Sequence, residues 1–309
     1  MIEVREISKS FNNVDALINV SFKVQKGEIF GFLGPNGAGK STTINILNTL
    51  LKPDQGEVLI DGLNIETHKN QCKLSIGVVP QEIALYENLS AFDNLMFWGG
   101  LYNLSKSDLQ LKALEALDIV GLTDRKNHNI STFSGGMKRR INIASSLLHQ
   151  PKILLMDEPT VGVDPQSRNR IFEVIEKLNG EGMTIIYTTH YMEEAERLCN
   201  TIAIIDLGNI VAQGTLGELR KISDTNDLLS LKLTELDDVL VSALNSVFPS
   251  SSIDTESKNV MLECSDIGSD ISGVINSIQD AGGIIESIDT QKANLESIFL
   301  KLTGKQLRD

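Results

Sequence analysis

The chain has 309 residues, 41% hydrophobic and 22% charged, an ordinary balance for a globular protein long enough to hold two domains. Its formal net charge of −13 argues against a protein that grips DNA or RNA chiefly through the phosphates, which requires a basic face. No apolar stretch approaches the roughly 18 to 20 residues of a membrane span, and the start Met1-Ile2-Glu3-Val4-Arg5-Glu6 lacks the apolar core of a secretion signal, so any membrane part is expected from another chain, while the spacing of the three cysteines favours a reducing, cytosolic compartment.

From Met1 to about Ser223, short β-branched runs alternate with helical patterns, the habit of an α/β sheet domain. Val4–Ile7, Ala16–Val24 and Gly56–Ile60 are predicted as strands of a mostly antiparallel edge sheet. Ile29–Leu33, Ile153–Met156, Thr184–Thr189 and Ile202–Asp206 are near-continuous apolar runs of strand length, as parallel strands buried on both faces require. Between them, from about residue 82 to residue 150, the pattern turns helical, with Leu111, Leu114, Leu117 and Val120 recurring at three- and four-residue spacing. Leu89–Leu104 holds Phe92, Leu95, Met96, Phe97, Trp98 and Tyr102, more aromatic surface than one buried helix face needs. About half of it is expected in the core, and the rest could form a groove for a partner's helix.

The polar run Ile222–Asp227 reads as a linker into a second unit, so the expected domains are 1–223 and 228–309. In the second, strands are predicted at Leu228–Leu233, Ser252–Thr255, Asn259–Cys264 and Ile284–Asp289, and helices at Asp237–Val247, Ile267–Ala281 and Asn294–Lys305. The order β-α-β-β-α-β plus a final helix predicts a small ferredoxin-like α+β sandwich. Residues 225–309 carry 6 basic against 14 acidic groups, a net −8, a poor cradle for phosphate. In the last helix Leu295, Ile298, Phe299 and Leu302 share a face that closes either the small domain's own core or an interface with a partner subunit. Cys72, Cys199 and Cys264 lie far apart without metal-ligand spacing and read as reduced, small apolar residues. His68, His128 and His149 likewise have no companion at ligand spacing, which favours solvated or capping roles.

Three motifs carry chemistry. Gly34-Pro35-Asn36-Gly37-Ala38-Gly39-Lys40-Ser41-Thr42 follows an apolar strand and opens a predicted helix, Ser41–Leu50, whose amides and dipole favour phosphate. Its glycines let the backbone wrap a β-phosphate, Lys40 brings a point charge to the β- and γ-phosphates, and the Ser41 hydroxyl suits Mg²⁺. Asp157-Glu158 ends the strand Ile153–Met156, placing two carboxylates at the carboxyl end of a parallel strand, where ligands of open α/β sheets bind. Ser134-Gly135-Gly136-Met137 begins a helical run to Leu148, with Ser134 as the N-cap and Ile141, Ala144 and Leu148 on one face.

The Ser-Gly-Gly helix start, about twenty residues before an acidic pair and downstream of a phosphate loop, resembles the ATP-binding cassette (ABC) ATPases over residues 1 to about 220. The resemblance implies a P-loop NTPase core sheet with an antiparallel edge sheet and a helical insert, and ATP with Mg²⁺ clamped between two such domains. By that resemblance Glu158 polarises the attacking water and Asp157 holds the metal. Gln81 reaches metal and water and links core to insert, and His190 contacts the γ-phosphate. Ser134, Gly135 and Gly136 serve the nucleotide of the other subunit, and Asp164 bridges the two subunits. Phe11 stacks on adenine, against the alternative of a core phenylalanine. Phe133 and Met137 replace the commoner Leu and Gln around Ser-Gly-Gly, so no ATP contact is carried over to position 137. The ending Ala293–Gly304 resembles drug-, polysaccharide- and sodium-efflux ATPases. That implies the ATP-hydrolysing motor of an exporter, a homodimer or heterodimer held at the inner face of the cell membrane by an integral-membrane permease. A regulatory nucleotide sensor without transport is the alternative.

Overall fold

The computed structural model describes residues 2–12, 14–248, 251–264 and 267–304, without the side chains of Ile267, Ser269 and Asp270. Two compact units emerge, Met1–Leu216 and Gly217–Gln306. In the first, β1 (Ile2–Phe11), β2 (Val14–Val24), β3 (Ile29–Leu33), α1 (Lys40–Leu47), β4 (Gln55–Ile60), β5 (Leu63–Asn64), α2 (Lys69–Leu74) and β6 (Ile76–Val79) precede the helices α3 (Ala91–Gly99), α4 (Lys106–Ile119) and α5 (Gly135–Leu147). Then come β7 (Ile153–Asp157), α6 (Pro165–Gly180), β8 (Thr184–Thr189), α7 (Met192–Leu198), β9 (Thr201–Asp206) and β10 (Asn209–Gly214).

The strands form an antiparallel sheet in the order β2-β1-β4-β5 and a six-stranded sheet in the order β10-β9-β3-β8-β7-β6, parallel except for β10. Strand alternation sorts the apolar residues between two cores. Ile153 and Leu155 face the space between the sheets with Phe22, Phe30, Phe32 and Ile46, whereas Leu154 and Met156 face the α3–α6 side with Leu95, Leu117, Ile141 and Ile175. Phe22 and Phe30 stack at 5.1 Å between the sheets.

The helices start where a short polar side chain accepts an amide hydrogen: Ser90 for α3, Ser105 for α4, Ser134 for α5 and Asp164, followed by Pro165, for α6. Helix α4 forms where the helical pattern predicts, and only part of that pattern is buried. At about 100° per residue Leu109, Ala113, Ala116 and Leu117 fall on one side and are buried, whereas Leu111 and Leu114 point outward, 59% and 37% exposed. Helix α1 ends at Leu47, three residues earlier than expected, before Thr49 with φ 64°. The strand β6 and the helix α2 carry too short a pattern to be read from the sequence.

The second unit contains α8 (Leu216–Ser223), β11 (Asp227–Leu233), α9 (Asp238–Val247), β12 (Ser252–Asp254), β13 (Asn259–Cys264), α10 (Ile267–Asp280), β14 (Ile285–Gln291) and α11 (Leu295–Thr303). Its sheet order β12-β13-β11-β14, with every pair antiparallel, is the arrangement of the β-α-β-β-α-β sandwich. Leu229, Leu231 and Leu233 pack with Leu240, Leu244, Val260 and Ile278 in its core. The expected linker Ile222–Asp227 is shorter in the structure, because Ile222 and Ser223 end α8 and Asp227 begins β11. Leu295, Ile298 and Phe299 of α11 are buried in the single chain, and a capping box at Asn294 and Ser297 starts that helix. No disulfide joins Cys72, Cys199 and Cys264, and desolvation pushes the Cys72 and Cys199 thiols up, as inert packing residues require.

His149 is neither solvated nor a cap. Its ring lies flat on Tyr102, centroids 4.1 Å apart and 5° between planes, and its Nε2 is 2.9 Å from the Ile76 carbonyl oxygen. A carbonyl only accepts, so Nε2 carries a proton; burial lowers the pKa below the ordinary 6.5 and outweighs the Ile76 carbonyl, which favours the charged ring. The unfolded chain therefore binds a proton before the folded one does, and stability is full above about pH 6.5 and falls as pH drops from there. Urea unfolding at a series of pH values should show this slope, and His149→Gln, which keeps a donor for Ile76, should flatten it below about pH 6.5.

Candidate active site

Four adjacent parallel strands, β3, β8, β7 and β6, deliver the chemistry to one sheet edge. Their carboxyl ends lead in that order into the glycine loop, His190, Asp157-Glu158 and Gln81, at the edge where open α/β sheets bind ligands. The loop from Gly34 to Gly39 turns through positive φ at Gly37 (81°) and Gly39 (110°), and a Cβ on Gly39 would stand 2.6 Å from the Ala16 carbonyl oxygen. Pro35 and Ala38 shape the turn, with the Ala38 amide donating to the Pro35 carbonyl, while Asn36 and Gly37 are exposed. At the start of α1, Ser41 is exposed and Thr42 half-buried.

Lys40 is 4% exposed, and its three ammonium protons have three acceptors: the Gly34 carbonyl at 2.7 Å, the Pro35 carbonyl at 3.0 Å and Glu158 Oε1 at 3.0 Å. Glu158 is the hub. Its Oε1 also accepts from His190 Nδ1 at 3.2 Å, and its Oε2 accepts from Gln81 Nε2 at 3.2 Å. Glu158 sits in the left-handed region at φ 45°, a conformation that persists only where neighbours enforce it. The neighbour is Thr188, whose hydroxyl accepts from the Glu158 amide at 3.0 Å and donates to Asp157 Oδ1 at 2.7 Å.

Ser134, Gly135, Gly136 and Asp164 have no polar contact with that cluster and form a second group at the starts of α5 and α6. Ser134 Oγ accepts from the Met137 amide at 3.2 Å, and Asp164 accepts from the Ser167 amide at 2.9 Å. The Ser167 amide and hydroxyl hold the Asp164 carboxyl below the usual range. Gly136 lets the two helices meet, because a Cβ there would lie 2.2 Å from that of Ser167. Phe11 is 43% exposed at the end of β1, with Lys9 Nζ 5.5 Å from its ring centre, so it is not a core residue.

Sequence reasoning missed Thr188, Arg139 and Glu194. Arg139, 3% exposed on α5, donates to the Pro80 and Gln81 carbonyls, both at 2.5 Å, and so joins the Ser-Gly-Gly helix to the segment carrying Gln81. Its position five residues after Ser134 was the available signal.

A buried lysine folded under its own glycine loop and facing a strained carboxylate suits a reaction that moves negative charge, and the class so defined is the P-loop nucleoside triphosphatases. Residues 17–161 match the family described as ABC transporter. Across the full length of both chains, the sequence is 42% identical to the linearmycin resistance ATP-binding protein LnrL of Bacillus subtilis. It is also 35% identical to the Nod factor export ATP-binding protein I of Cupriavidus pinatubonensis, covering all of this chain and 92% of that one. A dimeric ATP-binding cassette in a post-hydrolysis state with ADP and Pi superposes with TM-score 0.63 at 30% identity, over 70% of this chain and 99% of that one. The chain belongs to the ABC transporter family and is one of its ATP-hydrolysing subunits.

The Lys40–Glu158 pair has a measurable signature. Removing one partner of a buried pair leaves an uncompensated charge, so Lys40→Met should lower the unfolding free energy of nucleotide-free protein by about 3 to 5 kcal/mol. Adding Glu158→Gln should recover most of that loss. A double variant as unstable as Lys40→Met alone, in urea unfolding, would mean the loop and not the pair sets stability.

Proposed function

We propose that this chain is the motor subunit of an export system, working as a pair of cassettes on an integral-membrane permease and exporting a compound of the kinds named for its relatives, a drug or a Nod factor. Among the described residues no helix is long and apolar enough to cross a membrane, which suits a subunit held at the inner face by that permease. The observation that carries the reading is the meeting of Lys40, Gln81 and His190 on the one carboxylate of Glu158.

The ATP triphosphate enters between the glycine loop and α1. Lys40 exchanges its carbonyl and carboxylate partners for β- and γ-phosphate oxygens, which frees Glu158 Oε1. Glu158 then accepts a proton from water as the water oxygen bonds to the γ-phosphorus, the bond to the β-phosphate oxygen breaks, and ADP and phosphate leave. His190 holds the γ-phosphate, and Phe11 offers its exposed ring face to adenine. Ser41, Gln81 and Asp157 would hold Mg²⁺, because a hydroxyl, an amide oxygen and a carboxylate suit a hard cation; when bound it neutralises phosphate charge. Ser134, Gly135, Gly136 and Asp164 act on the partner's nucleotide. Residues 217–306 supply none of these groups, and their role is interaction or regulation.

Glu158→Gln keeps shape and hydrogen bonding but removes the base, so ATP binding should persist while steady-state turnover falls by about 10²- to 10⁴-fold. Undiminished hydrolysis in a phosphate-release assay would refute the assigned role. If the site is composite, Lys40→Ala chains mixed with Ser134→Arg chains should regain activity that neither shows alone, through one intact site per dimer. Mixtures as inactive as their components would sink the two-subunit arrangement.

A further inference from the structure

Outside the cluster around Glu158 lies a second buried carboxylate that the scheme above does not use. Glu194, on α7, is 2% exposed. Its Oε1 accepts from the Thr160 hydroxyl at 2.7 Å, and its Oε2 accepts from the Tyr187 hydroxyl at 2.8 Å and the Thr189 hydroxyl at 2.9 Å. Arg168 Nε approaches Oε1 to 3.7 Å, and the Arg168 guanidinium lies over the Tyr191 ring, 5.4 Å from its centre. A buried carboxylate is expensive unless its lone pairs are occupied, and here three hydroxyls and one cation from separate places in the chain do that.

The places are what matter. Thr160 is two residues beyond Glu158 and opens the turn that ends at Asp164, with the Val163 amide bonded to the Thr160 carbonyl. Thr189 immediately precedes His190, and its hydroxyl oxygen accepts from the Tyr191 amide at 2.9 Å while its proton goes to Glu194. The backbone on both sides of His190 is thereby tied to one hydroxyl whose direction Glu194 dictates. Arg168 belongs to α6, the helix that Asp164 caps.

We propose that Glu194 is a positioning residue for hydrolysis: it fixes the turn that aims His190 at Glu158 and locks that turn to the segment from Thr160 to Asp164. Movement of Asp164 against a partner subunit then reaches His190 through two hydroxyls and one carboxylate. The inference rests on the ATPase reading above, in which His190 and Glu158 act on the γ-phosphate.

A Gln at position 194 fills the same volume but replaces one acceptor oxygen with a donor, so one of the three hydroxyls must turn away. Misplacement of a catalytic group by about 1 Å is worth on the order of 10²-fold, so Glu194→Gln should lower kcat by about that much. KM for ATP should stay within about twofold, because no ATP contact is removed. The loss should not multiply with His190→Ala: the double variant should be no slower than His190→Ala alone. A wild-type kcat, a loss that multiplies with His190→Ala, or a KM that rises while kcat holds would each overturn the assignment. Should Glu194→Gln not fold, Thr189→Val and Thr189→Ser carry the same test; Ser must retain more turnover than Val, and equal turnover in both refutes the proposal. Glu158→Gln is the control: if it hydrolyses ATP normally, the ATPase site reading has failed, whereas an inactive Glu158→Gln beside a fully active Glu194→Gln removes this inference alone.

Discussion

The contact on which the rest depends is the buried ion pair between Lys40 and Glu158. Neither residue can be 4% and 6% exposed without the other, since an isolated charge at that depth would be neutralised or expelled. The pair forms because β3 and β7 both flank β8 in a parallel sheet, so the loop after one and the acid after the other open on the same edge. Thr188 of β8, the strand between them, holds Glu158 in its left-handed backbone and fixes Asp157 with the same hydroxyl. The geometry that admits triphosphate is therefore a property of strand order, and the glycine loop alone would not create it.

Much of this was legible in the chain. The glycine loop, the acidic pair and His190 each follow an apolar run read as a strand, and a residue just beyond a parallel strand is placed by the sheet itself; Gln81 follows the unread β6 and came from the family resemblance alone. What was not legible depends on through-space bonds between common side chains. Thr160, Thr188, Thr189 and Glu194 carry no spacing signature, because their meeting depends on where β7, β8 and α7 lie and not on their separation in sequence. The buried face of α4 was not legible for a related reason: three- and four-residue spacing identifies a helix, but two interleaved stripes satisfy it, and only the packing selects Leu109 and Ala113 over Leu111 and Leu114.

The second unit shows the same logic at smaller scale. Along β11 burial alternates, Leu229, Leu231 and Leu233 inward with Ser230 and Lys232 outward, which leaves one sheet face for the helices. Arg220 of α8 donates to the Ala293 carbonyl and Lys301 of α11 to the Asp224 carbonyl, so α8 is tied to the end of this unit although its sequence continues the first.

Under the proposed function, the start of α5 serves both stability and recognition. The basic run behind Ser134 looks like an anion site, yet Lys138 pairs with Glu87 at 2.5 Å, Arg139 holds the carbonyls of Pro80 and Gln81, and Arg140 donates to the Val120 carbonyl at 2.9 Å. These cations brace the insert, which leaves the amides and dipole of the helix start as the attraction for phosphate. Ser134 uses an oxygen lone pair to accept from the Met137 amide, and its hydroxyl proton is not needed for that bond. Capping and the proposed phosphate contact draw on opposite ends of the same hydroxyl, so Ser134 can stabilise its own helix and keep its proton for a nucleotide held by a partner. Alanine at this position would lose both functions. Threonine, which caps less well but keeps the hydroxyl, separates them in degree.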